Sequence, residues 1–136
     1  MDSRMSPTDT IYIAKAEECL SGAESELVNN RYNNCANRCY YACFQAAIAA
    51  LIRNHIEPES RGGEWGHGFV QARFAGELIG RRKSYSSNLR ETLARLLMLR
   101  QLADYEAQNV SETQARRAIR AAGSFLDAIT SKGGES

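Results

Sequence analysis

Wound as a helix, the segment from about Tyr32 to His55 is apolar on two opposite sides. Tyr41, Phe44, Ile48 and Leu51 make a large face, and Cys35, Cys39, Ala42, Ala46 and Ala50 a small one. A helix that is apolar on both sides is buried on both sides. At ~1.5 Å per residue it is about 36 Å long. The rest of the chain must therefore pack around it as layers, and the small face asks for helices that approach closely.

Four further helices are predicted from period and punctuation. The first runs from about Thr10 to Val28, with a stripe of Ile13, Ala16, Leu20, Ala23 and Leu27, and Asn29-Asn30 ends it. Glu57 to Gly66 holds Pro58 and three glycines and reads as a loop. The third helix spans about His67 to Ile79, carries Phe69, Val70, Phe74 and Leu78, and stops at Gly80. The fourth runs from Ser86–Asn88 to about Tyr105, with Asn88 and Glu91 at capping-box spacing. The fifth starts at Ser111 with a second box to Gln114, and its face is Ala115, Ala118, Ile119, Ala122, Leu126 and Ile129. The tail from Ser131 is expected to fray. No strand pattern, repeat or linker interrupts this. The fold class is all-α, an up-and-down bundle of four or five helices. The 136 residues make one domain, 1–136, with an ordered core of about 10–130.

The formal net charge of +1 excludes capture of nucleic acid by a whole-molecule basic field. Arg81-Arg82-Lys83 and the Arg116, Arg117, Arg120 set remain as local patches on a turn and a solvated helix face. No apolar run reaches the ~18 residues of a spanning helix. The polar stretch Met1 to Asp9 carries no signal-peptide pattern. The expectation is a cytoplasmic protein without a membrane role. Cys35, Cys39 and Cys43 stand four apart on one face, where bridging is poor, so reduced thiols are expected. Zinc would want a second close Cys pair, and there is none, so no metal is expected. No phosphate loop, nucleophile elbow or zinc-protease motif is present, and no cofactor is expected.

Function is sought where polar residues stand in apolar arcs. With Arg100 at zero on the wheel, Leu89, Leu93 and Leu96 fall within about 40° and Leu97 at about 60°. A guanidinium does not lose its proton, so burial without a partner is very costly. Asp104 lies one turn on and can pair with it. Two readings stay open: a pair that snorkels at the bundle's edge, or an arginine facing a cleft that holds an anion. Asn37 stands in the middle of Tyr41, Phe44, Ile48 and Leu51, either as a satisfied core or capping residue or as a cleft residue. Arg38 flanks it, and Tyr40 and Tyr41 can present hydroxyls at the same end. His67, after Gly66, is either a local cap or a site residue. His55 ends the second helix, where a cation suits the dipole.

The run Asn37-Arg38-Cys39-Tyr40-Tyr41-Ala42-Cys43-Phe44-Gln45-Ala46 resembles the "N-R-x-Y-Y-A-x-F-x-A" signature of HEPN-domain proteins. His67 with Val70 and Phe74 follows, as in that family. Arg100-Gln101-Leu102-Ala103-Asp104-Tyr105 resembles the "R-x-x-A-D-Y" ending of the same branch. The resemblance covers about residues 10 to 130. It implies a HEPN-like bundle that forms a homodimer.

It also implies a role as the toxin-like half of a two-gene toxin–antitoxin or defence module with a minimal nucleotidyltransferase, binding nucleotide or RNA. The alternatives are a metal-independent RNA-cleaving toxin and a purely structural dimer. Nuclease members carry Arg, four to six residues, then His on the late helix. Here Arg100 is kept, but no histidine follows it, and Tyr105 takes the position of the shortest spacing. Tyrosine, with pKa near ~10, replaces an acid–base histidine poorly. Arg100 is thus the candidate catalytic residue, and Asn37, Arg38, Tyr41, His67, Asp104 and Tyr105 are the candidate cleft. Tyr105 is also the candidate for modification by the partner.

Overall fold

The computed structural model describes residues 7–58 and 62–133, and all its regular elements are helical. The polar start 1–6, residues 59–61 of the Glu57–Gly66 loop and the end of the tail, 134–136, lie outside the described residues. In chain order the helices are α1 (Pro7–Val28), α2 (Tyr32–Arg53), α3 (His67–Arg73, continuing as a π-helical segment Phe74–Arg81), α4 (Asn88–Tyr105) and α5 (Glu112–Gly133).

The two-sided helix is the centre: α2 packs against α1, α5, α4 and α3 with its π-helical extension. Both of its faces are buried, from Cys35 and Cys39 through Phe44, Ile48 and Leu51. The cysteines are free thiols on the small face, and burial pushes the Cys43 thiol up. Among the described residues no group of side chains could hold a metal ion. No described helix is long and apolar enough to cross a membrane.

Helix ends follow local chemistry. Asn30 takes the left-handed conformation (φ 63°) after α1, and Arg31 N–H bonds Glu26 O at 2.8 Å, closing the helix. The same device ends α2 two residues earlier than the sequence suggests. His55 lies beyond the helix with φ 64°, and Ile56 N–H returns to Leu51 O at 2.9 Å. His55 is therefore the turn residue, not a cation in the last turn. That cation is Arg53. At the other end α1 begins three residues early, because Pro7 is preorganised for a first helical position. Asp9 accordingly sits buried in the first turn of α1 rather than in a polar tail.

The third helix is not a plain α-helix. From Phe74 its hydrogen bonds span five residues instead of four, as in Arg82 N–H to Glu77 O at 2.8 Å. Val70, Phe74, Leu78 and Ile79 are all buried, at spacings of four and five that a wider turn lets share one face. Arg81 and Arg82 both pair with Glu77, and Arg82 Nη1 donates to Asn54 O, so this basic turn is tied down.

The capping box expected for α4 does not form. Asn88 is the first helical residue and Ser87 the N-cap, so Asn88 is not in the capping position, and its side-chain oxygen accepts from the Ser86 hydroxyl instead. The box on α5 forms in both directions: Gln114 N–H donates to Ser111 Oγ at 3.1 Å, and Ser111 N–H to Gln114 Oε1 at 2.9 Å. α5 continues through Ser131 to Gly133, since nothing before the glycine pair breaks it. Asn33 on α2 accepts from Val110 N–H and donates to Asn109, which fixes the loop that follows α4. That brace holds the end of α4, with Arg100 and Asp104, beside the start of α2.

Candidate functional site

The polar residues that break the apolar arcs meet where α2, α3 and α4 converge. Leu89, Leu93 and Leu96 are buried, so Arg100 follows them inward, and its side chain is only 17% exposed. Its Nε lies 3.3 Å from Asp104 Oδ2. The N–H is not aimed at that oxygen, and Nε stays without a hydrogen-bond acceptor. Asp104 Oδ2 instead accepts from Asn37 Nδ2 at 3.0 Å, across 67 residues of chain. Asn37 is thus a half-buried residue satisfied by α4.

What holds the Arg100 guanidinium is aromatic. Its carbon lies 5.6 Å from the Tyr40 ring centroid and 5.3 Å from that of Tyr41, within cation–π reach. Among the described residues no group accepts a hydrogen bond from it. Nε, on the Asp104 side, is closed to solvent, and the donors of the two terminal nitrogens are left for an incoming anion.

His67 borders the same two rings. Its imidazole stacks on Phe44 at 4.4 Å and lies 5.6 Å from the Tyr40 centroid and 5.7 Å from that of Tyr41. Tyr40, fully buried, brings its hydroxyl to 2.8 Å from His67 Nδ1. Gln71 Nε2 donates to the same hydroxyl at 3.3 Å. Burial pushes the Tyr40 hydroxyl up to about 12, against the pull of Arg100 and of the Gln71 bond. Burial and then the Arg100 charge hold His67 below the ordinary histidine value. A neutral imidazole beside a fixed positive charge is the resting state at neutral pH.

A family model described as HEPN domain matches residues 10–132. The chain belongs to the HEPN family. Membership points to a nucleotide- or RNA-related function. No curated protein matches the chain.

In this HEPN domain Asn37, Tyr41, His67, Arg100 and Asp104 come together as one cluster. Arg38 does not join them. It lies over α1, against Gly22, where a Cβ would stand 2.9 Å from its Cδ. The missing side chain at Gly22 is the space that takes it. Tyr105 points outward, 72% exposed. Sequence reasoning did not assign Gln71, nor the buried bridge made by Tyr40. One signal was present: His67 and Gln71 stand four apart on the face of α3 that carries Val70 and Phe74, a polar pair on an apolar stripe.

Proposed function

We propose that this HEPN domain binds nucleotide or RNA through a phosphate held by Arg100, and works as a homodimer with a nucleotidyltransferase-like partner in a toxin–antitoxin or defence module. The observation that carries this is the Arg100 guanidinium, mostly buried and with no hydrogen-bond acceptor of its own among the described residues. Burying a cation is costly unless something offsets it. Two aromatic faces, and a carboxylate that takes its hydrogen bond from Asn37 rather than from Arg100, leave room for a phosphate to complete the offset. The direct test is titration of the wild-type protein with AMP and with a short single-stranded RNA. Absence of saturable binding to both defeats the reading.

The dimer is supported by a groove of about 650 Å³ between α4 and α5. Leu96, Leu99, Leu102 and Ala118 line it, Met98 stands 70% exposed beside them, and the rim carries both signs, Arg95 and Arg117 against Glu106. A two-fold contact needs that self-complementarity. Sedimentation at micromolar concentration is expected to give about twice the 15.1 kDa chain mass. A single species at the chain mass would refute the dimer.

The partner is expected to place an adenylate on Tyr105, whose exposure leaves its hydroxyl open to an enzyme. Intact mass after co-expression with such a partner reads this out. An unchanged mass, or a gain that survives Tyr105→Phe, counts against it. An RNA-cleaving toxin is the second reading. The observation that favours it is His67 beside Arg100, since an imidazole supplies what position 105 lacks. Loss of cellular RNA on expression would support it over binding alone.

A further inference from the structure

We propose that His67 is the second donor of the Arg100 anion site, locked by Tyr40 and Gln71 into the tautomer that carries its proton on Nε2. This rests on the reading of Arg100 as a phosphate-binding group. A tyrosine hydroxyl has one hydrogen to give and lone pairs to receive, while an amide nitrogen only gives. Gln71 Nε2 gives to the Tyr40 oxygen, so the Tyr40 hydrogen needs another acceptor. The acceptor in reach among the described residues is His67 Nδ1, at 2.8 Å. With Nδ1 receiving, a neutral imidazole must hold its own hydrogen on Nε2.

The lock has a chemical consequence. Nε2 has no protein partner among the described residues, and it is not sealed from solvent. The ring cannot swing, because Phe44 stacks on it and Tyr41 meets it edge-on. His67 therefore offers a fixed N–H and no free lone pair. That suits an anion's oxygen and does not suit the removal of a proton from a nucleophile. Arg100 and His67 each lie within 6 Å of both tyrosine rings, so the charged and the neutral donor share one rim. The chemistry that fits is a phosphate group, one oxygen taken by the guanidinium and another by the imidazole. A free nucleotide and an RNA chain both carry it.

Proton–nitrogen correlation spectra of the imidazole ring in the wild-type protein read the tautomer directly. A protonated Nε2 and a bare Nδ1 are expected, with the balance moving toward Nδ1 protonation in Tyr40→Phe. A proton on Nδ1 in the wild type overturns the proposal. In titrations with AMP and with a short single-stranded RNA, His67→Ala is expected to weaken binding about 10- to 100-fold, the range for a hydrogen bond to a charged group. His67→Gln, which keeps a donor, should recover most of it. A loss confined to AMP or to RNA supports the site and assigns it to free nucleotide or to chain phosphate. Binding weakened by Arg100→Ala but unchanged by His67→Ala overturns the proposal and leaves Arg100 standing. Binding indifferent to both substitutions, or absent from the wild type, overturns both.

Discussion

Asp9→Ala is expected to destabilise the fold by about 3–5 kcal/mol, the usual cost of removing one partner from a buried charge pair. Asp9 is fully buried in the first turn of α1, and the Arg53 side chain, in the last turn of α2, is 7% exposed. Arg53 Nε donates to Asp9 Oδ2 at 2.8 Å, and its Nη1 donates to Ile129 O near the end of α5 at 2.9 Å. One guanidinium thus ties three helices at one end of the bundle. Without the carboxylate it keeps its charge and one neutral acceptor in a site closed to water. A domain of this size has about 5–15 kcal/mol in all, so the loss is a large fraction of it. Asp9→Ala combined with Arg53→Met should recover most of the stability, since an apolar chain of similar length carries no charge to desolvate. Urea melts of the three proteins measure this. A single variant within about 1 kcal/mol of wild type would show that the pair is worth no more than a surface one.

Much of the architecture was legible because one strong pattern forced the rest. A helix apolar on both sides must be central, and α2 is. The π-helical segment was not legible, because Val70, Phe74 and Leu78 also fit an ordinary α-helical stripe. Only the additional burial of Ile79 and the hydrogen bonds that span five residues reveal the wider turn. In the site, Arg100, Asn37 and Asp104 were legible as polar residues in apolar arcs, and the structure joins them. His67 entered the candidate cleft through the family resemblance, but its contact with Tyr40 was not legible, since it crosses a loop whose course no local pattern fixes. Arg38 shows the opposite failure: adjacency to Asn37 suggested the same cleft, but one residue along a helix is ~100° around it. That turn sends Arg38 to α1, where Gly22 leaves it room.

Arg100→Ala is expected to cost nucleotide or RNA binding on the order of 100-fold while lowering stability by only about 1–2 kcal/mol. The two magnitudes together separate the readings that the sequence leaves open. The Arg100–Asp104 pair differs from Asp9–Arg53 in every respect that sets the cost. Its Nε–H is not directed at the carboxylate, the Asp104 side chain is 27% exposed, and Asp104 keeps its bond from Asn37 when Arg100 is gone. Removing Arg100 therefore leaves a carboxylate that water and an amide already satisfy. What the fold loses is the packing of the guanidinium on Tyr40 and Tyr41, about 0.5–2 kcal/mol for such contacts. Denaturant melts of Arg100→Ala and of Arg100→Ala with Asp104→Asn test the stability half. A loss of 3–5 kcal/mol in the single variant, restored in the double, would make Arg100 a structural ion-pair partner. Titration with AMP and RNA tests the other half. A small stability loss with unchanged affinity would leave the buried guanidinium without a ligand to explain it, and the phosphate site would fall.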